Sequence, residues 1–284
     1  MHNNFGSRFI LLNAGFAKLD SDWNWKDVSS PFARLYMVAE GGATVHLPDG
    51  TFDLKPGFLY LIPPFTPHRY ENDGHFSHYY FHIYENLSFQ TRILEEYSFP
   101  FEIPSNELSN SLIYRLLRIN PGMELQKYDP LSYDNTQTII KNLTLSKEVL
   151  PSVLLETNGI LCLLISSFLE LSSKRYDVTD NRINKALAYV RENIDEDIKP
   201  CDLAERSYLS KNHFARLFKD ETGVTPSAYI NARKIEKAQL LLISTDMPVK
   251  NIARQLSFNN LSNFNRLFRQ ISGTTPKEYR ESFN

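Results

Sequence analysis

The sequence predicts an α+β protein. A small β-barrel with appended helices comes first, and an all-α domain with two helix-turn-helix motifs follows. Three observations point there. Residues 30–84 alternate short β-type runs with turn signals, the pattern becomes helical near Ser105, and residues 200–229 recur at residues 249–279. At 284 residues the chain is longer than one compact core usually needs.

The strands come first along the chain. Arg34–Val38, Thr44–Leu47, Phe52–Leu54, Phe58–Ile62 and His78–Tyr84 are rich in β-branched and aromatic residues. Gly41-Gly42, Pro48-Asp49-Gly50, Pro56-Gly57 and Pro63-Pro64 punctuate them as turns. Short strands at this spacing suit a sandwich or small barrel.

Helical spacing then takes over. Leu108, Leu112, Ile113, Leu116 and Ile119 lie one helical turn apart, with Ser105 as the expected start. Pro151–Ser173 predicts a long helix that is apolar on more than one side. Such a stripe needs either its own sheet or the same helix of a second subunit to cover it. The polar stretch that follows gives domains at 1–173 and 181–284, joined by a linker at 174–180.

In the repeat, Leu217-Phe218 … Gly223 … Thr225-Pro226 … Tyr229 returns as Leu267-Phe268 … Gly273 … Thr275-Pro276 … Tyr279. Each copy reads as a short helix, a turn and a longer helix. Lys199–Ser207 precedes a helix at 211–219 capped by Ser210, and Pro248–Leu256 precedes a helix at 261–270. Phe214, Leu217 and Phe218 point inward in the first copy, and Phe264, Leu267 and Phe268 in the second. The opposite faces carry Lys211, Asn212, His213 and Arg216, then Ser262, Asn263, Asn265, Arg266 and Arg269. These side chains can donate to base edges or phosphates from a major groove. The joining helix, Ala228–Ser244, spans roughly 25 Å at ~1.5 Å per residue. It could hold two readers about one DNA turn (~34 Å) apart.

Charge agrees with this division. Residues 1–180 carry 14 Lys+Arg against 21 Asp+Glu, and residues 181–284 carry 17 against 12. A basic C-terminal part on an acidic body fits a polyanion bound by one module. The two cysteines, Cys162 and Cys201, are too few for a disulfide framework. No secretion signal is apparent, and the apolar stretch Ile160–Leu171 is too short to span a bilayer, so a cytoplasmic protein without a membrane partner is expected. No nucleophile elbow, phosphate loop or dinucleotide fingerprint occurs.

Residues 183–283 resemble the DNA-binding domain of the AraC/XylS family of bacterial transcription regulators. The resemblance rests on Pro248-Val249 … Ile252-Ala253 … Phe258 … Ser262 … Phe264 … Arg266 … Phe268-Arg269 … Gly273 … Thr275-Pro276 … Tyr279-Arg280. Ser257 departs from the family pattern, which has glycine there, and so is expected to tighten or shift the second turn. In the N-terminal half, Glu40-Gly41-Gly42 … Phe52 … Lys55-Pro56-Gly57 … Leu61-Ile62-Pro63-Pro64 … His68 … His78-Tyr79-Tyr80-Phe81-His82 looks like the cupin-type sensor domain of the sugar-responsive members.

The resemblance implies promoter or operator duplex DNA and a small-molecule effector, a sugar, as partners. It also implies a homodimer formed through the helices, contact with RNA polymerase, activation, and no cofactor. It places Glu40, Tyr70, His78 and Tyr80 at ligand-contacting positions. Tyr80 falls where an indole stacks on the sugar, His78 where a histidine meets a hydroxyl, and Glu40 where an arginine sits. The competing reading is a metal-dependent cupin enzyme, such as a sugar isomerase, with an accessory DNA-binding tail. Five histidines fall between His46 and His82, and His78 and His82 would share a strand face. No His-x-His occurs, so the expectation is no metal and no enzyme.

Overall fold

The computed structural model describes residues 7–86, 92–130, 149–175 and 178–282. Positions 176 and 177 of the expected linker lie outside the described residues. The chain divides into two compact units, Met1–Ser173 and Lys174–Asn284.

Among the described residues of the first unit, ten strands precede its first long helix. They are β1 (Phe9–Leu19), β2 (Trp25–Val28), β3 (Ala33–Gly41), β4 (Ala43–Leu47), β5 (Gly50–Leu54), β6 (Phe58–Ile62), β7 (His68–Glu71), β8 (Phe76–Glu85), β9 (Tyr97–Ser98) and β10 (Glu102–Pro104). One sheet has the order β1-β8-β3-β6-β10, and a second has the order β2-β7-β4-β5. The strand-rich region therefore starts earlier than residue 30. β1 is buried along most of both faces, so it lacks the polar alternation that announces a half-exposed strand.

β8 is central in the larger sheet and shows what the pleat does. Phe76, His78, Tyr80 and His82 share its inner face. The intervening Phe81 and Ile83 join a cluster on the other face with Leu35, Met37, Leu59 and Leu61. Helices cover that outer face: α1 (Ile93–Glu96), α2 (Glu107–Ile119) and α3 (Pro151–Glu170). Glu85 fixes the short α1, because its carboxylate accepts from the Ile93 and Leu94 amides at 2.8 and 3.0 Å. α2 begins two residues after Ser105. Asn106 and Ser109 form a reciprocal capping box, which satisfies two otherwise unpaired amides there.

α3 buries Ile160, Leu161, Leu164, Ile165 and Phe168 in the same cluster. Each of these side chains contributes about 1.5–3 kcal/mol by leaving water. Its own sheet thus covers one of the apolar sides, while Leu155 and Leu163 on another side are 63% and 51% exposed. At twenty residues α3 is longer than the Ile160–Leu171 stretch and is long and apolar enough to cross a membrane by length and composition. A helix that covers a sheet meets the same criterion. Arg115 of α2 clamps it through a fork to Glu156, Nη2 to Oε2 at 2.9 Å.

The second unit is helical: α4 (Asn181–Glu192), α5 (Pro200–Arg206), α6 (Lys211–Thr222), α7 (Pro226–Ser244), α8 (Val249–Gln255), α9 (Leu261–Ser272) and α10 (Pro276–Ser282). α6 and α9 run on to Gly223 and Gly273, whose φ angles of 76° and 82° end both helices in the left-handed region. Pro248 stands at the cap of α8 rather than inside its first turn. One core gathers α4, α5 and α6 around Phe214 and Phe218, and reaches Tyr229 and Ile230 at the start of α7.

Candidate ligand pocket and nucleic-acid interface

Three of the four expected pocket residues come together inside the barrel. Tyr36 on β3 lies beside Tyr80 on β8, with Gly15 of β1 on the other side of Tyr80 in register. Gly15 is required by close approach, since a Cβ there would sit 2.3 Å from the Tyr80 hydroxyl. Tyr70 shares a 2.8 Å hydrogen bond with the Tyr36 hydroxyl and packs on Trp23 at 4.6 Å between ring centres. His78 stacks on Phe76 at 4.3 Å and meets Tyr36 edge-on at 5.1 Å.

Glu40 is the exception and corrects the expectation. A register shift between Val38 and Glu40 breaks the alternation of β3. The Glu40 side chain is 77% exposed and lies 3.5 Å from His75 Nε2, away from the interior.

The sequence reading missed five partners of this site: Leu19, Trp23, Tyr36, Leu125 and Tyr128. With His78, Tyr80 and His82 they line a cavity of about 10 Å³. That is room for roughly one water. The chain after α2 forms one side of it. Met123 accepts from the Ala14 amide at 3.0 Å, the Leu125 amide donates to the Tyr80 hydroxyl at 2.8 Å, and Tyr128 accepts from Trp23 Nε1 at 3.1 Å. No strand pattern marks Trp23 or Tyr128, so period-two reading could not reach them.

Burial sets the electrostatics. It pushes the His78 and His68 imidazoles down to about 3, with Arg34 adding to the effect at His68. His82 is likewise held well below its ordinary value, first by burial and then by Arg34. All three are therefore neutral at pH 7. The His78 Nδ1 has no hydrogen-bond partner, which leaves one polar atom of this wall unsatisfied. Among the described residues no group of three His, Cys, Asp or Glu side chains could hold a metal ion. His78 and His82 do share a face, as expected, but Asn13 and Arg34 flank His82.

In the helical unit, α6 and α9 are built alike. Ser210 caps α6 by accepting from the His213 amide, and Asn260 caps α9 by accepting from the Asn263 amide at 2.7 Å. Lys211, Asn212, His213 and Arg216 are exposed on α6, as are Ser262, Asn263, Arg266 and Arg269 on α9. Arg266 Nη2 donates to Asn263 Oδ1 at 3.0 Å, which braces the two together. Asn265 is the correction on this face. It flanks the buried Phe264–Phe268 stripe, is half-buried, and has an enclosed, unpartnered amide oxygen.

Ser257 does not shift the second turn. Its φ of 54° equals that of Tyr208, forty-nine residues earlier, so both turns use the left-handed region. This explains why glycine suits the position. In Ser257 the hydroxyl donates to the Asp195 carbonyl. The extra residue of the second copy falls between Ser257 and the Asn260 cap. Further positive charge stands beside the first reader, where the Arg206 guanidinium lies 4.1 Å over the Tyr189 ring. Arg182 and Lys185 line a cavity of about 240 Å³ there.

A two-sheet domain with an internal pocket, joined to a duplicated helix-turn-helix domain, defines a class of ligand-responsive DNA-binding proteins. Two family models match these regions: an AraC-like ligand binding domain over residues 14–122 and a helix-turn-helix domain over residues 203–282. The chain belongs to the AraC/XylS family of transcription regulators.

Among its relatives, the regulatory protein PocR of Salmonella typhimurium is 35% identical over 105 residues, 37% of this chain and 35% of that protein. The xylose operon regulatory protein of Escherichia coli is 35% identical over 104 residues, 37% of this chain and 26% of that protein. The Tn10 TetD protein of Escherichia coli is 33% identical over 114 residues, 40% of this chain and 81% of that protein. The chain thus spans about a third or less of the length of the first two. ToxT of Vibrio cholerae shares the fold across 98% of this chain and 99% of its own, with a TM-score of 0.51 at 13% identity.

Proposed function

We propose that this chain regulates transcription by holding double-stranded operator DNA through α6 and α9, under the control of a small molecule that enters the barrel. One observation carries the reading. Two capped helices of one basic module, each entered through a left-handed turn, expose the same kinds of donor: Lys211, Asn212, His213 and Arg216 on one, Ser262, Asn263, Arg266 and Arg269 on the other. Helices that display such donors suit adjacent major-groove segments, where phosphate contacts supply affinity and base-edge contacts supply sequence choice.

The effector is a sugar. Tyr80 and Trp23 offer faces for the apolar side of a ring, and the unpartnered His78 Nδ1 offers a hydroxyl partner. A cavity of about 10 Å³ is too small for a sugar, so lining side chains such as Leu125 and Tyr128 must give way on entry. The chain acts as a cytoplasmic homodimer. Leu155 and Leu163 of α3, with Leu108 and Tyr114 of α2, supply exposed apolar side chains for the subunit contact. Effector shifts the balance between two arrangements of that dimer only by binding them unequally. The outcome is activation through contact with RNA polymerase.

Anisotropy titration of the full chain against duplexes it selects from a randomised pool tests the DNA reading. Arg216→Ala and Arg266→Ala each weaken binding by about 1–3 kcal/mol if they read bases, or reduce the salt slope by about 1 if they meet phosphate. A variant with unchanged affinity and slope removes that residue from the interface. Thermal shift against common mono- and oligosaccharides tests the effector. No shift with any of them would remove the sugar assignment while leaving the DNA arm standing.

A further inference from the structure

Lys234 is a cation enclosed in the middle of α7, 5% exposed. Its ammonium donates to two main-chain carbonyls, Glu196 at 2.8 Å and Leu256 at 2.7 Å. The first carbonyl lies in the loop between α4 and α5, which leads into the first reader. The second ends α8, the leading helix of the second reader. One side chain therefore ties together two loops that are sixty residues apart in sequence.

The neighbouring contacts repeat the pattern. The Ser257 hydroxyl donates to the Asp195 carbonyl, and Lys237 Nζ lies 2.7 Å from the Asp195 carboxylate. α7 itself is shared between the halves. Tyr229 and Ile230 at its start belong to the first reader's core, and Arg280 of α10 holds its far end through the Leu242 carbonyl at 3.2 Å. Burying a lysine is an expensive way to fill space, because the ammonium loses its water and a methionine would fit the same volume. The Glu196 carbonyl also accepts from the Ile198 amide at 2.9 Å, so the lysine adds a second donor there and links that loop to the Leu256 carbonyl.

We propose that Lys234 is a positioning residue that locks the spacing and phase of α6 and α9, so that both readers meet one face of a duplex together. This rests on the reading of α6 and α9 as DNA readers. Rigid spacing makes the second contact intramolecular, and loosening it lowers the effective concentration of one reader at its half-site.

The test uses the full chain with Cys162 and Cys201 replaced by serine and spin labels at Lys219→Cys on α6 and Gln270→Cys on α9. Pulsed electron resonance then gives the distribution of label separations. The parent protein shows one narrow distribution, and Lys234→Met widens it at least about twofold, since it removes the ammonium and both of its hydrogen bonds while keeping an unbranched side chain. A folded Lys234→Met protein with unchanged width overturns the proposal. Should that variant fail to fold, Ser257→Ala, which deletes one of the parallel ties, is judged by the same width.

A second arm uses the selected duplex and the same duplex with one half-site scrambled. Lys234→Met loses about tenfold on the intact duplex and nothing on the scrambled one. Equal losses on both make Lys234 a general structural residue and overturn the proposal. If the parent protein selects no duplex at all, the DNA reading falls, while the label separations still decide whether the lysine sets the geometry.

Discussion

The barrel interior and the outer faces of α6 and α9 use polar side chains in opposite ways. Inside the barrel, Tyr36, Tyr70, His78, Tyr80 and His82 are buried and fill the space they surround. In the helical unit, Lys211, Arg216, Arg266 and Arg269 stand in solvent on helices whose inner faces are anchored by phenylalanines. An outward site depends on the scaffold beneath it, whereas an inward site is its own scaffold. Substitutions on the exposed faces of α6 and α9 should therefore separate function from stability, and substitutions inside the barrel should not.

The sharpest break of that contrast is beneath a reader. Phe264 is fully buried and packs on Phe258 at 5.0 Å and Phe268 at 5.8 Å. Phe264→Ala should destabilise by about 3–5 kcal/mol, because the lost transfer energy is joined by a cavity. Thermal melts should show this, while Arg266→Ala, two residues along the same helix, should melt with the parent protein. If both melt alike, the exposed face is not independent of the core. In the barrel, Gly15→Ala should cost about 1–3 kcal/mol by overpacking, since the new methyl group meets the Tyr80 hydroxyl. A variant as stable as the parent would mean that β1 can move away from β8.

Acid should separate the two units next. His68, His78 and His82 have depressed folded values, while an unfolded histidine titrates near its ordinary 6.5. Below about pH 6.5 the unfolded chain binds protons that the barrel refuses, so stability is full above that pH and falls as pH drops toward 3. The loss is about 1.4 kcal/mol per pH unit for each such histidine. Melts at pH 7.5 and 5.5 should lower the barrel transition, and His78→Phe should shrink the difference. A barrel transition indifferent to pH would mean that these imidazoles keep water.

The same contrast explains what could be read from the sequence. The helix faces of α6 and α9 follow directly from the spacing of Phe214 and Phe218, or of Phe264 and Phe268, because period and cap are local properties. Their limit is Asn265, placed outward by spacing but drawn in beside the phenylalanine stripe. In the barrel, period two on β8 correctly groups His78, Tyr80 and His82. It carries no information about Trp23 or Tyr128, which reach the same cavity from irregular chain. Glu40 left the interior through a β-bulge, which shifts the alternation by one residue without a local sequence signal. Strand β1 escaped notice because burial on both faces erases the alternation that reveals a strand.

The smallest effect tests whether the segment after α2 is part of the barrel or a cover on it. Tyr80 holds that segment through one bond, its hydroxyl accepting from the Leu125 amide at 2.8 Å. Tyr80→Phe keeps the ring and its packing but leaves that amide without an acceptor, at a cost of about 1 kcal/mol. If the segment is integral, the cost appears as a lower melting temperature and amide exchange at Leu125 still requires global unfolding. If it is a cover, Leu125 and its neighbours exchange faster in the variant while the melt barely changes, because only a local opening has become easier. The second result would make the barrel more like the helical unit than its packing suggests, with a working part that moves independently of the core that carries it.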